Sequence, residues 1–168
     1  MGTKTQVRPW FLLGFLLCLL AMIGAMYFQL VMHLLPCPLC VFQRIAVIVA
    51  GVIFLVAALH NPKAWGVRIY GLLALLASIG GIVFSARQIW LQSLPPDQVP
   101  SCGPGLNYLV KVLPWQKVVE TVFNGSGECA AKGWVFLGLS IAGWTAALFV
   151  VLIVLSAWLL LRRSKKGS

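Results

Sequence analysis

Two cysteines separated by two residues, Cys37 and Cys40, lie at the beginning of a long apolar segment, and Arg44 follows one helical turn later. A CxxC pair of this kind carries either thiol–disulfide chemistry or a metal ion. Pro36 and Pro38 stiffen the pair. If a helix begins here, the Cys40 thiolate lies near the positive end of the helix dipole. The spacing therefore favours a redox-active disulfide.

Arg44 places a charge inside an apolar segment, which is costly and by default indicates a functional site. At i+4 it shares the helix face of Cys40, one turn deeper. A guanidinium there would stabilise the thiolate and could hold a polar head group, such as a quinone carbonyl, at the membrane surface. The alternative is that the long side chain only extends to the interface. We favour a functional role because the CxxCxxxR spacing is more specific than either part alone.

Two further cysteines, Cys102 and Cys129, lie in the one long polar loop and are flanked by Gly, Pro and Ser residues. Such flanks favour a mobile disulfide that exchanges with an external dithiol and then with the CxxC pair. A structural disulfide that closes the loop is an equally open alternative. A zinc site is disfavoured because the second pair is not CxxC, and Val41 excludes a CxxCH haem site. Cys18 is interpreted as a small buried residue.

The composition predicts an all-α membrane protein. The chain has 168 residues, of which 61% are hydrophobic and only 10% are charged, whereas soluble domains carry about 25% charged residues. Four apolar segments are long enough to span a bilayer as helices, at 10–30, 40–59, 66–84 and 134–161. We therefore predict one membrane domain over 1–168, a four-transmembrane-helix bundle with a long loop at 85–133.

The charge distribution predicts the orientation of these spans. The three acidic residues lie in the long loop, whereas the termini and the turn between the second and third spans carry basic residues only. The positive-inside rule then places both termini in the cytoplasm, with the CxxC pair and the long loop on the other side. The net charge of +10 thus reflects topology, and no nucleic-acid partner is expected. The basic residues of the termini and of this turn are Lys4, Arg8, Lys63, Arg68, Arg162, Arg163, Lys165 and Lys166.

The first span is too long for a signal-peptide core, so we expect it to be retained.

One segment of the long loop predicts a short amphipathic helix. Pro114 is a typical helix starter, and Gly125 is a typical helix end. Because the predicted helix is short and amphipathic, we expect it to lie on the membrane surface. An ordinary packed loop helix is the alternative. The apolar residues on its predicted face are Trp115, Val118, Val119, Val122 and Phe123.

The segment 27–44, YFQLVMHLLPCPLCVFQR, closely resembles the DsbB family of membrane disulfide bond formation proteins. The segments SGECA and WVFLGL, which precede the fourth span, are also similar to that family. The resemblance covers nearly the whole chain. It implies a protein-disulfide oxidoreductase of the bacterial inner membrane, with a periplasmic long loop. It also implies a quinone cofactor, for which we expect ubiquinone, with menaquinone as the alternative, and no metal.

The resemblance further implies a role for each site residue. Cys37 and Cys40 match the quinone-proximal pair, with Cys40 as the thiolate that engages the quinone. Arg44 matches the arginine associated with quinone use. Cys102 and Cys129 match the loop pair that oxidises DsbA, a soluble thioredoxin-like periplasmic oxidase. Cys102 would form the mixed disulfide with this partner.

One position departs from the family pattern. Some members carry a His near the end of the third span, where this chain reads FSARQIW over 84–90. Arg87 or Gln88 is expected to donate a hydrogen bond to the quinone instead, and His33, one turn before the CxxC pair, is a third candidate. Two other interpretations stay open, namely an oxidase for a dedicated partner and a non-enzymatic membrane scaffold with structural disulfides.

Overall fold

The computed structural model describes residues 7–33, 36–99, 106–125, 127–130 and 134–161. Within these ranges, four helices are long and apolar enough to cross a membrane, which confirms the predicted four-helix architecture. The helices are α1 (Arg8–Leu30), α2 (Pro38–His60), α3 (Ala64–Ser93), α4 (Leu106–Val112), α5 (Trp115–Asn124), α6 (Gly127–Ala130) and α7 (Ile141–Leu161), and the strands are β1 (Val135–Phe136) and β2 (Leu139–Ser140).

The second helix begins inside the CxxC pair. Cys37 is the N-cap of α2, and its sulfur accepts a hydrogen bond from the Cys40 backbone N–H at 3.4 Å. Pro38 follows at the first helical position, where its missing N–H leaves no hydrogen bond unmade. At the other end, Asn61 adopts the left-handed conformation with φ 45°, and its N–H bonds to the Ala57 carbonyl. These local signals fix where α2 starts and stops.

The four long helices, α1, α2, α3 and α7, form a bundle in which each packs against the next in chain order. The contact between α1 and α7 is the least extensive of those that close the bundle. Phe11, Phe54 and Phe149 are fully buried in its core. Small residues let the backbones approach closely, as at Gly81 of α3, which faces the Phe149 ring of α7.

The third helix is longer than the span predicted for it. It continues to Ser93 rather than ending at Phe84. At ~1.5 Å per residue its 30 residues extend about 45 Å, beyond a hydrocarbon core of roughly 30 Å. Hydropathy falls after Phe84 because Arg87, Gln88 and Gln92 are polar. The helix nevertheless continues, and it carries these three side chains at the level of the CxxC pair.

The fourth span also differs from its predicted bounds, because α7 begins only at Ile141. The preceding residues form an antiparallel hairpin of β1 and β2. Its turn residues, Leu137 and Gly138, both have positive φ angles of 51° and 79°, as a tight type I′ hairpin turn requires. Ser140 then caps α7 by accepting from the Gly143 N–H at 3.3 Å. The hairpin is as apolar as a span, so hydropathy alone did not separate the two.

Helices α4, α5 and α6 form a cap over one end of the bundle. A second group of buried residues joins this cap to α2 and α3, separate from the bundle core. Helix α5 covers the segment in which the sequence predicts a short helix, with Val118 and Val122 buried and Trp115 exposed. Its location on the membrane surface stays a prediction. The buried group comprises Cys37, Leu39, Leu91, Leu109, Val118, Val122 and Cys129.

Replacing Gly81 by Ala is expected to destabilise the bundle. An added Cβ would lie 2.1 Å from two ring atoms of Phe149, which is fully buried and has no room to move. Overpacking of this kind costs about 1–3 kcal/mol. Thermal unfolding in detergent measures the change. Gly80→Ala is the matched control, because a Cβ there meets nothing within 4 Å. Equal stability of the two variants would contradict the close approach of α3 and α7.

Candidate thiol redox site

The CxxC pair lies where the bundle meets the cap. The two sulfur atoms are 2.9 Å apart, with the Cys37 thiol donating to the Cys40 sulfur. Cys37 is buried, whereas Cys40 is partly exposed, and both pack within the buried group that joins the cap to α2 and α3. The two members of the pair therefore differ in exposure.

Cys129 lies on the buried side of the pair. It belongs to α6, is fully buried, and its side chain hydrogen-bonds with Cys37. Because the two thiols touch, a disulfide involving Cys129 can exchange with the CxxC pair without a long movement of the chain. The structure thus brings three of the four predicted redox cysteines together. The fourth, Cys102, lies outside the described residues.

The environment of Cys37 keeps this thiol protonated. The hydrogen bond to Cys129 is the largest cause that raises the pKa of Cys37 above that of an ordinary thiol. The hydrogen bond to Cys40 and the burial of the side chain raise it further. A raised pKa means that the neutral form persists to higher pH. Cys40, by contrast, sits in the first turn of α2 and accepts a hydrogen bond from Cys37. Of the two sulfurs, Cys40 is therefore better placed to carry negative charge.

Gln88, predicted as a quinone donor, faces the two sulfurs. Its side-chain Nε2 donates to Cys40 Sγ at 3.2 Å and to Cys37 Sγ at 3.5 Å. Its Oε1 in turn accepts from Nε2 of Gln43 at 2.7 Å. Both glutamines are buried. The amide of Gln88 is thus part of the immediate surroundings of the thiols.

Arg44 is held by the first helix. Its guanidinium donates to the side-chain oxygen of Gln29 and, at 3.2 Å, to the Ala25 carbonyl. The sequence predicted that this guanidinium would stabilise the Cys40 thiolate, but these hydrogen bonds go to α1. Arg44 and Cys40 nevertheless line the same cavity.

Two predicted quinone donors are placed elsewhere. Arg87 donates to the backbone oxygens of Phe123 at 2.8 Å and Asn124 at 3.1 Å, and its guanidinium stacks over Trp90 at 4.2 Å. It therefore clamps the end of α5 onto α3. His33 is exposed beyond the end of α1. Neither side chain belongs to the lining of the cavity beside Cys40.

The cavity beside Cys40 has a volume of about 270 Å³ and lies among all four long helices. Its lining combines apolar side chains with several polar groups, which suits a small organic molecule that carries polar atoms. A second cavity of about 500 Å³ runs between α1 and α7. Six residues line both cavities, namely Ala21, Ala25, Phe28, Trp134, Ile141 and Thr145. The polar lining residues of the first cavity are Cys37, Cys40, Gln43, Arg44, Gln88, Gln92, Ser140 and Thr145.

Sequence reasoning missed two residues of this site, Gln29 and Gln43. Both lie within apolar segments that cross the membrane. A polar side chain at such a depth needs a partner from a neighbouring helix, and this was the available signal. Gln43 directly precedes Arg44, and Gln29 lies on the neighbouring helix α1.

Comparison with known proteins identifies the family. The family model described as "Disulfide bond formation protein DsbB" matches residues 7–159. Similar proteins, all named Disulfide bond formation protein B, come from Nitrosococcus oceani, Marinobacter nauticus and Hahella chejuensis. The first is 53% identical over 155 residues, covering 92% of each chain. The second is 50% identical and covers 90% of each chain. The third is 48% identical, covering 90% of this chain and 94% of its own.

Cys37 is expected to resist alkylation in the reduced protein. Iodoacetamide reacts with thiolates, and an ordinary thiol titrates near pH ~8.5. Since its pKa is raised, labelling of Cys37, mapped by mass spectrometry, should have its midpoint well above that of an ordinary thiol. Cys129→Ala removes the hydrogen bond that contributes most to the raised pKa of Cys37, so it should lower the midpoint of labelling. A wild-type midpoint near pH ~8.5, or no change in the variant, would show that Cys129 does not hold the Cys37 proton.

Proposed function

The chain belongs to the DsbB family, and from this premise we propose that it reoxidises a periplasmic DsbA-like thiol oxidase and passes the electrons to membrane quinone. Disulfide bond formation is the activity that the family name states, whereas the partner and the electron acceptor belong to the proposal. One observation carries it. The CxxC pair touches a buried loop cysteine, Cys129, on one side and opens into an intramembrane cavity through Cys40 on the other.

The thiol side of the proposal is a chain of exchange reactions. The partner dithiol attacks a disulfide between Cys102 and Cys129, with Cys102 forming the mixed disulfide, as the family resemblance implies. The Cys129 thiolate so released attacks Cys37 of the Cys37–Cys40 disulfide, and Cys40 leaves as the thiolate. The second thiol of the partner then displaces Cys102 from the mixed disulfide, which leaves the partner oxidised. The freed Cys102 thiolate attacks Cys129 of the Cys129–Cys37 disulfide, which restores Cys102–Cys129 and releases Cys37. Two electrons and two protons thus leave the partner, and the CxxC pair ends as the dithiol. The contact between Cys129 and Cys37 supports this order.

The acceptor side uses the cavity beside Cys40. Its size and its mixture of apolar and polar side chains fit a flat ring that carries carbonyl oxygens. Arg44 would hold such a carbonyl, because a guanidinium has five N–H donors and α1 occupies only some of them. A bound quinone supplies a two-electron, two-proton acceptor. We propose ubiquinone, with menaquinone as the alternative.

The charges of the chain support the orientation required by this reaction. Basic residues cluster at the termini and at the link between α2 and α3, as expected for the cytoplasmic side of a bacterial inner membrane. The cap and the CxxC pair then face the periplasm. The periplasm is an oxidising compartment, and a thiol oxidase that forms disulfides there has to be reoxidised after each reaction.

Turnover is expected only when both cysteine pairs are intact. Purified protein in detergent, supplied with a reduced thioredoxin-like oxidase and a ubiquinone, should reduce the quinone. Cys40→Ser and Cys102→Ser should each abolish the reaction, because each removes one sulfur of a required disulfide. Cys18→Ala is the control, since Cys18 lies in the bundle core away from the site. Normal turnover by Cys40→Ser would overturn the relay order. Inactivity of the wild type with several quinones and donors would favour structural disulfides.

Arg44→Ala is expected to weaken quinone binding more than thiol exchange. Loss of a charge-assisted hydrogen bond costs about 1.5–3 kcal/mol, so KM for quinone should rise about tenfold or more. The rate of exchange with the external dithiol should change little. Arg87→Ala is the matched control, because that guanidinium binds α5 and not the cavity. An unchanged KM in Arg44→Ala would remove Arg44 from the quinone site.

A further inference from the structure

Two buried glutamines on neighbouring helices form a pair beside the thiols. Gln43 belongs to α2 and is 4% exposed, and Gln88 belongs to α3 and is 5% exposed. The Gln43 Nε2 donates to the Gln88 Oε1 at 2.7 Å. Of the two, only Gln88 has hydrogen bonds to the sulfur atoms among the contacts described for residues 36–99. A hydrogen-bonded influence of Gln43 on the thiols therefore passes through Gln88.

The pair fixes which end of the Gln88 amide faces the sulfurs. Because an NH₂ group can only donate, Gln43 selects the carbonyl oxygen of Gln88 and leaves the Gln88 NH₂ directed at Cys40 and Cys37. The Gln88 oxygen also lies 3.5 Å from Cys40 Sγ. This oxygen can accept a hydrogen bond from a neutral thiol but repels a thiolate. The orientation of the amide therefore decides which protonation state of Cys40 is stabilised.

We propose that Gln43 is a positioning residue of the redox site, which holds the side-chain amide of Gln88 so that its N–H stabilises the Cys40 thiolate. An N–H donor is worth more to an anion than to a neutral group, especially away from water. A role of Gln43 in catalysis rests on the proposed function, in which Cys40 passes electrons to the quinone. The orientation of the amide and its effect on the sulfur do not depend on quinone or partner.

The other charged or titratable groups around Cys40 are few in the part of the chain that the structure describes. Cys37 and Arg44 line the same cavity from α2, and Cys129 approaches from α6. The lining residues of α1 are apolar, those of α3 are glutamines, and Thr145 of α7 does not titrate in this range. Arg44 hydrogen-bonds to α1. Among the cavity-lining residues of α3, the Gln88 amide is thus the neutral donor nearest to the Cys40 sulfur.

The test measures thiol reactivity in full-length protein without quinone or partner. The reduced protein in detergent is alkylated with iodoacetamide across a pH series, and labelling of Cys40 is followed by mass spectrometry. The variants are Gln43→Met, Gln88→Met and the two combined. Met is close to Gln in size and has no N–H donor. Gln43→Leu provides a second apolar replacement, and thermal unfolding confirms that each variant is folded. Gln92→Met is the control for this readout, because Gln92 accepts from Ser140 instead.

Gln88→Met should move the labelling midpoint of Cys40 upward by about one pH unit, a tenfold loss of thiolate at neutral pH. Gln43→Met should move it in the same direction by a smaller amount. The combined variant should match Gln88→Met alone, because Gln43 acts through Gln88. Additive shifts, or an unchanged midpoint in Gln43→Met and Gln43→Leu, would overturn the proposal. Failure of quinone reduction with these thiol results intact would instead count against the proposed function alone.

Discussion

Burying a polar side chain in hydrocarbon without a hydrogen-bond partner costs several kcal/mol of free energy. This constraint determines how the helices are assembled in the half of the bundle that contains the CxxC pair. The larger polar side chains at that level are paired between neighbouring helices, so each pair also ties two helices together. One pair joins α1 to α2, one joins α2 to α3, and one joins α3 to the start of α7. The three pairs are Gln29–Arg44, Gln43–Gln88 and Gln92–Ser140.

The same pairs define the cavity beside the thiols. All three contribute side chains to its lining, so the groups that hold the helices together also face its interior. On the side of α1 that faces α7 and its preceding hairpin, the described contacts are of another kind. Phe28 meets Trp134, the residue before the hairpin, with ring centroids 4.8 Å apart, and Trp10 meets Trp158 of α7 at 4.6 Å. Ring contacts accept a range of tilts and centroid distances, whereas hydrogen bonds have a stricter geometry. The second cavity lies along this side of the bundle.

The sequence predicts the parts of the fold that depend on composition and short-range pattern. Four apolar segments, a CxxC pair at the start of the second and a short helix at Trp115–Asn124 can all be inferred from neighbouring residues. The extension of α3 and the hairpin before α7 could not be inferred, because averaged hydropathy treats polar helix ends as loops and apolar hairpins as spans. The partners of Arg44 and Arg87 depend on residues far along the chain, Gln29 and Phe123. Such pairings emerge only once the helices are assembled.

The separation of the two buried groups has a consequence for how the molecule opens. The cap shares its own small apolar cluster with the ends of α2 and α3, whereas the bundle core is larger and lies along the spans. A segment held by few buried contacts opens at lower free energy than the global fold. We therefore expect the cap to open as a distinct cooperative unit, whose amide hydrogens exchange with solvent before those of the bundle. Such an opening would expose Cys129, which is fully buried in the closed cap, to water while the membrane helices stay folded.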